Sequence, residues 1–510
     1  MVDPTPRPRL VVKPDEAQKR SSPPPPSEGH HPPSFVVDSV VSEPLRSVIE
    51  SRPDELVGVV IELRVVQDVE SARRALARLL TAVTSGREIV PAGRSPYVTV
   101  ALTGNEIADL VTRAAAVRVR RKAAEQPTAS VSSPAPRSVI QRMWPNFEIT
   151  GQLLRSVVAT KSRAAQRTFD AQGEGVVWAV LDSGIDVSHR HFAEYRNLDL
   201  PQGLEHRSFV PEVTDPLTDG NGHGTHVAGI IAGGLAADDP AVGVGWYLDA
   251  GGDEHRQAIP VPGITGMAPA TTLLSCTVLR PDRTGDLTAL IDALLYIDDL
   301  NEGGRRIRVH GVNISVGHVF DPRWYAAGLT PVCREVDRLV ASGVVVVVAA
   351  GNTGYGYAQD PDGRTMRLGF GMTINDPGNA ARAITVGATS SSPHTSGVSF
   401  FSSKGPTGDG RMKPDLVAPG ERIISAAAGQ LLDQARRADP KAEYIESTGT
   451  SMAAPHVSGV AAGLLSVHRE YLGSAQEVKD LLCRSATDLG RAREFQGAGM
   501  VDAMRALQAI

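Results

Sequence analysis

The chain has 510 residues, a formal net charge of −5 and an ordinary globular composition, with 41% hydrophobic and 21% charged residues. This mildly acidic balance gives no sign of a nucleic-acid or anionic-membrane partner, and the length suffices for one large domain with smaller parts. The three cysteines are far apart and lack Cys-x-x-Cys spacing, which disfavours both a disulfide framework and a zinc site. No stretch approaches 18 clean apolar residues, so no transmembrane helix is predicted.

The N-terminal segment, residues 1–54, is rich in proline and serine and includes four consecutive prolines. Such a segment cannot bury enough apolar surface to offset its ordering entropy, so it is predicted to be a disordered or extended tail. Prolines and acidic residues interrupt its first 20 positions, unlike a secretory signal. We therefore expect a cytoplasmic protein, with secretion by another route left open.

Residues 55–122 are predicted to form a small α+β unit, followed by a polar linker over 123–138. Its predicted elements are a strand over 56–63, a helix over 69–84, a strand over 97–102, a helix capped by Asn105 and a strand over 117–120.

The remaining residues, 139–510, alternate apolar runs with amphipathic stretches. The runs cover 176–181, 273–279, 309–316, 344–349 and 384–388, and two of the helical stretches cover 287–300 and 331–342. Apolar strands separated by helices favour an α/β fold with a doubly wound, mostly parallel sheet and helices on both faces. Ligands bind such sheets beyond the carboxyl ends of the strands, where Asp182 and Asn352 follow two of the runs.

Three glycine-rich blocks carry the chemistry of an activated nucleophile. They contain Asp182 (VLDSGID), His223 (NGHGTHVAG) and Ser451 (GTSMAAPHVSG), which supply a carboxylate, an imidazole and a hydroxyl. Ser451 opens a helical run, and Pro455 is expected in the first turn of that helix. Because Ser451 lies at the helix N-terminus, the helix dipole favours negative charge beside the serine. An isolated serine or histidine is more often structural, but here the three groups occur together.

In the order Asp, His, Ser, these blocks resemble those of the subtilisin-like serine peptidases (subtilases) over roughly residues 170 to 505. The resemblance implies a serine endopeptidase that acts on polypeptides through a Ser-His-Asp triad and an acyl-enzyme. Ser451 would be the nucleophile, His223 the general base and Asp182 its orienting group, with Ser183 helping to hold that carboxylate. Asn352, in the block AAGN, would supply the oxyanion-hole amide.

The resemblance also implies a substrate-binding region. Its residues would be Ser315, Val316 and Gly317 on one wall, Gly285 in an opposite strand over 282–286, and Ala350 and Gly351 beside the oxyanion amide. It further implies a cis peptide bond between Asp376 and Pro377.

The chain departs from this family at the calcium region. His191 stands where an aspartate ligand is common, and imidazole is a poor ligand for a hard cation. One insertion, over residues 235–265, interrupts the usual calcium loop, and a second, over 353–375, lies beside the pocket. We expect no required cofactor and no metal ligand in the catalytic site, while weaker calcium binding elsewhere stays open.

Several alternatives concern the class of protein and its regulation. An α/β-hydrolase esterase would place its serine before the aspartate and histidine and use G-x-S-x-G, which this chain does not do. A binding protein derived from a peptidase is expected to lose a member of the triad, whereas all three residues are present here. The stretch from Tyr97 is similar to subtilase propeptides of the I9 type, which implies an intramolecular inhibitor; a stable accessory domain is the alternative. The chain could also be a latent cytoplasmic protease that a partner or signal activates.

Overall fold

A computed structural model describes most of the chain. It covers residues 40–41, 45–46, 49, 53–64, 68–84, 97–116, 138–145, 152–248, 254–321, 327–359, 365–392 and 397–510. The chain divides into two compact units, Met1–Glu148 and Ile149–Ile510. Most of the predicted tail (1–54), the predicted strand over 117–120 and all but the last residue of the predicted linker (123–138) lie outside the described residues.

In the part of the first unit that the structure describes, a three-stranded antiparallel sheet is accompanied by helices of 15 and 13 residues. Its elements are β1 (Val57–Leu63), α1 (Val69–Val83), β2 (Tyr97–Leu102), α2 (Gly104–Ala116) and β3 (Ile140–Pro145). The strand order is β2-β1-β3, and alternate residues of β1 are buried against the helices' apolar faces. Because β3 pairs with β1, this unit continues past residue 139, where the larger domain was expected to begin. Composition could not reveal that long-range pairing.

Helix α2 begins at Gly104 and is capped by Thr103, so the predicted cap at Asn105 is wrong. The Thr103 hydroxyl accepts the N–H of Glu106 at 3.2 Å, and the Glu106 carboxylate accepts the N–H of Thr103 at 2.9 Å. This reciprocal pair is a capping box, which satisfies two backbone donors at the helix start. Asn105 lies inside the first turn and donates to Asp54 at 2.9 Å.

The second unit is an α/β domain. Its strands are β4 (Val177–Asp182), β5 (Arg207–Ser208), β6 (Gly234–Leu235), β7 (Ala241–Leu248), β8 (Glu254–Val261), β9 (Ile264–Thr265), β10 (Thr272–Thr277), β11 (Gly311–Ile314), β12 (Val345–Ala349), β13 (Tyr355–Gln359), β14 (Thr365–Gly369), β15 (Ile384–Thr389), β16 (Leu416–Pro419), β17 (Ile423–Ala426) and β18 (Ala442–Ser447). Its α-helices are α3 (Gln152–Ala159), α4 (Ser162–Phe169), α5 (His223–Ile231), α6 (Leu287–Leu300), α7 (Pro331–Ala341), α8 (Gly429–Ala438), α9 (Thr450–Val467), α10 (Ala475–Ser485), α11 (Arg493–Gln496) and α12 (Ala503–Gln508), and short 3₁₀ helices cover Arg190–Phe192, Glu302–Gly304 and Arg469–Tyr471.

Seven parallel strands form the main sheet, in the order β16-β15-β12-β11-β4-β10-β5. Every residue of β4, β11, β12 and β15 is buried, as strands covered on both faces must be. The predicted parallel α/β fold is therefore confirmed.

Both predicted insertions contain β-hairpins. Strands β7 and β8, within residues 235–265, form an antiparallel pair. Strand β7 also pairs in parallel with β18 of the β17–β18 hairpin, so the four strands form one sheet. Strands β13 and β14, within residues 353–375, form a two-stranded antiparallel sheet.

Helix α9 is buried over nearly its whole length, on all sides. Residues such as Ala453, Val457, Ala461 and Leu464 are inaccessible to solvent and join the main core. A helix that is apolar all round belongs in the interior of a large domain, so the position of its first turn is fixed by packing. Within the described part of the chain, no helix combines the length and apolarity needed to cross a membrane.

Candidate active site

A cleft of about 650 Å³ lies beyond the carboxyl ends of strands β10, β11 and β12. Of the predicted site residues, His223, Ser451, Asn352, Gly285, Ser315, Val316, Gly317 and Gly351 line it. The side chain of Ala350 does not, because this residue is fully buried and donates its backbone N–H to Val386 at 2.9 Å. Residues far apart in the sequence thus share one surface.

Asp182 and His223 form a buried pair. Asp182 ends β4, and its Oδ1 accepts a hydrogen bond from Nδ1 of His223 at 2.7 Å and from the N–H of Ser183 at 2.8 Å. The carboxylate thereby fixes the ring orientation and places the proton on Nδ1. Nε2 of His223 is buried and has no hydrogen-bond partner among the described residues. This nitrogen is left as a proton acceptor.

A second buried carboxylate, Asp219, holds the loop that leads into α5. It accepts the Ser183 hydroxyl at 2.9 Å, the Gly222 N–H at 2.7 Å, and the N–H and hydroxyl of Thr225 at 2.8 Å each. Burial raises the pKa of Asp219, although these donors favour its ionised form. Ser183 therefore supports Asp182 only through its backbone, and its hydroxyl serves Asp219. An aspartate just ahead of a helix start was the available sequence signal for this residue.

Ser451 lies in the first turn of α9 and is half-buried. The sequence predicted Pro455 in the first turn of this helix. Because the helix begins at Thr450, Pro455 lies in the second turn instead. Pro455 has no N–H to donate to the Ser451 carbonyl four residues earlier, and that carbonyl accepts the Ser315 hydroxyl instead, at 3.0 Å. The Ser451 hydroxyl in turn donates to the Ser315 carbonyl at 2.9 Å, so it is not bonded to His223 in this structure.

The amide of Asn352 has a fixed orientation. Its Oδ1 accepts the backbone N–H of Thr450 at 2.9 Å and the Thr450 hydroxyl at 3.0 Å. Because a backbone N–H requires an acceptor, these bonds identify the oxygen and leave Nδ2 as the free end of the amide. Nδ2 faces Gly449, where an added Cβ would lie 3.3 Å away. The amide donor therefore lies next to the N-terminal turn that carries Ser451.

The second insertion contributes both of its ends to the cleft. Thr353 and Asn375 line it, and the Thr353 hydroxyl donates to Oδ1 of Asn375 at 3.0 Å. Gly351 has φ +103°, and a Cβ there would lie 2.6 Å from the Asn375 amide, so only glycine fits. The predicted cis bond between Asp376 and Pro377 is confirmed.

The segment 282–286 is not a strand, in contrast to the prediction. It closes a turn in which Arg280 donates its N–H to the carbonyl of Thr284 at 2.8 Å. Gly285 nevertheless lines the cleft, opposite the Ser315–Gly317 wall.

The residues at the expected calcium position do not fit a hard cation. His191 is fully buried; its Nδ1 lies 3.1 Å from the Tyr444 hydroxyl, and Nε2 lies 3.1 Å from the Gly229 carbonyl and 3.0 Å from that of Ala232. Burial lowers the pKa of His191 to about 3, so the ring is neutral and both nitrogens are engaged. The described residues contain no cluster of three or more histidine, cysteine, aspartate or glutamate side chains that could hold a metal.

Known proteins match most of the larger unit. The subtilase family model matches residues 173–501. The chain is 30% identical over 377 residues to the serine protease AprX of Bacillus subtilis (strain 168), covering 72% of this chain and 74% of AprX. It is 32% identical over 336 residues to subtilisin E of the same strain, covering 66% of each chain. It is 31% identical over 336 residues to a subtilisin of Bacillus pumilus, covering 66% of this chain and 92% of that protein.

Proposed function

The chain belongs to the subtilase family and is a serine-type endopeptidase, and we propose that it cleaves polypeptides through Ser451, His223 and Asp182 by way of an acyl-enzyme. One observation carries this assignment of roles. The buried Asp182 carboxylate lies 2.7 Å from Nδ1 of His223, whose ring lines the same cleft as Ser451 and whose Nε2 has no partner among the described residues. A base oriented in this way beside a serine is the arrangement that nucleophilic catalysis needs.

The first chemical step begins with a rotation of Ser451. Its hydroxyl leaves the Ser315 carbonyl by turning about the Cα–Cβ bond, a change between staggered rotamers that is fast compared with turnover. The hydroxyl then gives its proton to Nε2 of His223 while Oγ attacks the scissile carbonyl carbon. Asp182 stabilises the imidazolium that forms. His223 passes the proton to the leaving amine, and water hydrolyses the acyl-enzyme by the same relay.

Two donors stabilise the negative charge on the tetrahedral intermediate. One is Nδ2 of Asn352, whose amide is oriented by Thr450. The other is the backbone N–H of Ser451, since the first turn of a helix has no preceding helical carbonyl to bind its N–H groups. A neutral amide suits this task because it donates without transferring a proton.

The acyl part of the substrate lies extended between two edges of the cleft. Ser315, Val316 and Gly317 form one edge and Gly285 the other, so main-chain hydrogen bonds can hold a peptide as an added strand. Gly351, with Ala350 behind it, closes the pocket beside Asn352.

The N-terminal unit acts as an intramolecular inhibitor in this proposal. Its support is the resemblance of the stretch from Tyr97 to I9-type propeptides, and the separate sheet and core of the unit. Incubation of the purified chain distinguishes self-activation from latency. Self-cleavage near residues 120–140 that is absent in Ser451→Ala supports self-processing, whereas an intact, inactive wild type supports a latent protease that a partner activates.

The assignment of catalytic roles is tested with casein and a serine-directed fluorophosphonate label. We expect Ser451→Ala and His223→Ala to lose activity by about 10⁶-fold, a magnitude measured on a subtilisin, and Ser451→Ala to lose the label. Ser466→Ala is the matched control, because Ser466 lies in the same helix, outside the cleft. Labelling or casein cleavage that persists in Ser451→Ala, with Ser466→Ala unchanged, would refute the assignment.

A further inference from the structure

A second cavity, of about 720 Å³, lies beside the catalytic elements and takes no part in the steps above. It is lined by Trp246, Tyr247, Arg422, Leu431, Gln434, Ile445, Glu446, Ser447 and Thr448. None of these residues lines the catalytic cleft. The two lining sets nevertheless approach each other in sequence, since Thr448 precedes Ser451 by three positions.

The inserted hairpin β7–β8 builds one wall of this cavity. Strand β7 pairs with β18 as far as Val244 opposite Ile445, and the next residues of β7 carry Trp246 and Tyr247 alongside the end of β18. The side chain of Arg256, paired with Trp246 across the hairpin, covers the indole at 4.2 Å from the ring centre. Arg256 also donates to Gln434 on α8 at 2.9 Å, which anchors the hairpin to this helix.

Arg422 fixes the hairpin relative to the residues that lead to Ser451. Its guanidinium binds the Glu446 carboxylate at 2.9 Å and also the carbonyl of Trp246, while its backbone N–H donates to the Thr448 hydroxyl at 2.9 Å. Three residues span at most about 11 Å. Thr448, which lines the same cavity as the aromatic residues, therefore lies no farther than this from Ser451.

The opposite wall is tied to the histidine loop. Leu431 on α8 lines the cavity and donates its backbone N–H to the carbonyl of Asn221 at 3.1 Å, two residues before His223. The cavity is therefore connected to the loops that carry His223 and Ser451, whereas Asn352 and the Ser315–Gly317 wall are not among its lining residues. In the proposed function the acyl part of a substrate lies against Asn352 and that wall, which leaves the side of this cavity for the chain beyond the scissile bond.

The lining combines aromatic and aliphatic side chains, those of Trp246, Tyr247, Leu431 and Ile445, with polar and charged ones. Tyr247 is 44% exposed and stacks on His255 with ring centres 5.3 Å apart, and Leu431 adds an aliphatic surface. Arg422 and Glu446 form a salt bridge with each other, so each charge in the lining is paired. An aromatic or large aliphatic side chain is the ligand that such a surface takes up best.

We propose that this cavity is a subsite for the leaving-group side of the substrate, which selects a large apolar or aromatic side chain about three residues after the scissile bond. The inference rests on the proposed function, because it takes Ser451 and His223 as the catalytic pair. It assigns a role in substrate choice to the inserted hairpin, through Tyr247 and Trp246.

The test compares internally quenched peptides that share the same acyl side and carry either phenylalanine or glycine at the third position after the cut. The wild type is expected to cleave the phenylalanine peptide with about tenfold higher kcat/KM, the discrimination typical of a hydrophobic pocket. Tyr247→Ala is expected to reduce this ratio to about threefold or less, and Tyr247→Phe to preserve it. A fluorogenic amide with no residue after the scissile bond is the matched substrate, on which all three proteins should have equal kcat/KM.

These outcomes separate the two proposals. If the fluorogenic amide is cleaved but the phenylalanine and glycine peptides are cleaved equally by the wild type, the subsite is refuted and the proposed function stands. A ratio that Tyr247→Ala leaves unchanged also refutes the subsite. If Ser451→Ala cleaves the fluorogenic amide as fast as the wild type, the proposed function itself fails.

Discussion

Replacement of Asn352 by aspartate separates the two roles of this side chain. In the native amide, Oδ1 accepts two hydrogen bonds from Thr450, and Nδ2 is the donor proposed for the oxyanion. An aspartate keeps an acceptor for Thr450 but presents a negatively charged oxygen where the donor was. Asn352→Leu removes both functions and is the comparison variant.

The expected magnitudes follow from this division. Loss of one oxyanion donor costs about 2.7–4 kcal/mol of transition-state stabilisation, or 10²–10³ in kcat, a value measured on a subtilisin. Asn352→Asp should therefore lose at least 10²-fold in kcat, while its free energy of unfolding stays within about 0.5 kcal/mol of the wild type. Asn352→Leu should lose similar activity and also about 1–3 kcal/mol of stability, because the buried N–H of Thr450 loses its acceptor.

The assay is kcat on a fluorogenic peptide, normalised by active-site titration, together with urea unfolding of each variant. Ser451→Ala sets the baseline. If Asn352→Asp keeps more than a tenth of the wild-type kcat, Nδ2 is not an oxyanion donor. Equal destabilisation of the aspartate and leucine variants would show that the contact with Thr450 does not depend on an acceptor oxygen.

Three further predictions concern the proposed triad, the pH dependence of stability and calcium. Asp182→Asn should lower kcat by about 10⁴, because the amide no longer holds the required tautomer of His223; a loss below tenfold in a titrated assay would contradict this. Burial lowers the pKa of His226 and of His456 to about 4 each. The unfolded chain therefore binds protons near pH 6.5 that the folded chain does not, so the free energy of unfolding should fall between pH 6.5 and pH 4 by about 3 kcal/mol per histidine. Urea unfolding across this range measures the slope, and a stability that rises as the pH falls would oppose the assignment. Because His191 is engaged by protein groups at the expected calcium position, we expect no tight calcium site there, so micromolar calcium added after EDTA treatment should not raise the melting temperature; a rise would contradict this prediction.

Local sequence patterns were sufficient for five of the seven strands of the main sheet, all but β5 and β16, and for the local positions of Asp182 and His223. The valine run at 344–349 became β12, which is buried on both faces, because a strand without a polar face has to lie inside the sheet. Asp182 lies at the end of β4 and His223 at the start of α5, as strand-end and helix-start positions had indicated. Short-range periodicity and glycine-rich blocks are enough for these features.

Features that depend on distant pairing could not be predicted. Strand β7 pairs with β18 although about 200 residues separate them, and nothing in the local composition of either segment specifies the partner. The direction of the Ser451 hydroxyl depends on a carbonyl 136 positions away, at Ser315. The contribution of Asp219 likewise emerges only when Ser183 and Thr225 are brought to it by folding.

The proline in the second turn of α9 has a consequence for efforts to re-engineer this enzyme. Because Pro455 leaves the carbonyl of Ser451 to the Ser315 hydroxyl, the proposed nucleophile is hydrogen-bonded to the wall that is proposed to contact the substrate. Libraries that vary residues 315–317 to change selectivity will therefore also alter turnover, and the two properties will be hard to optimise separately. Trp246 and Tyr247 are linked to the Ser451 segment only indirectly, through Arg422, so the hairpin that bears them is the better starting point for directed evolution.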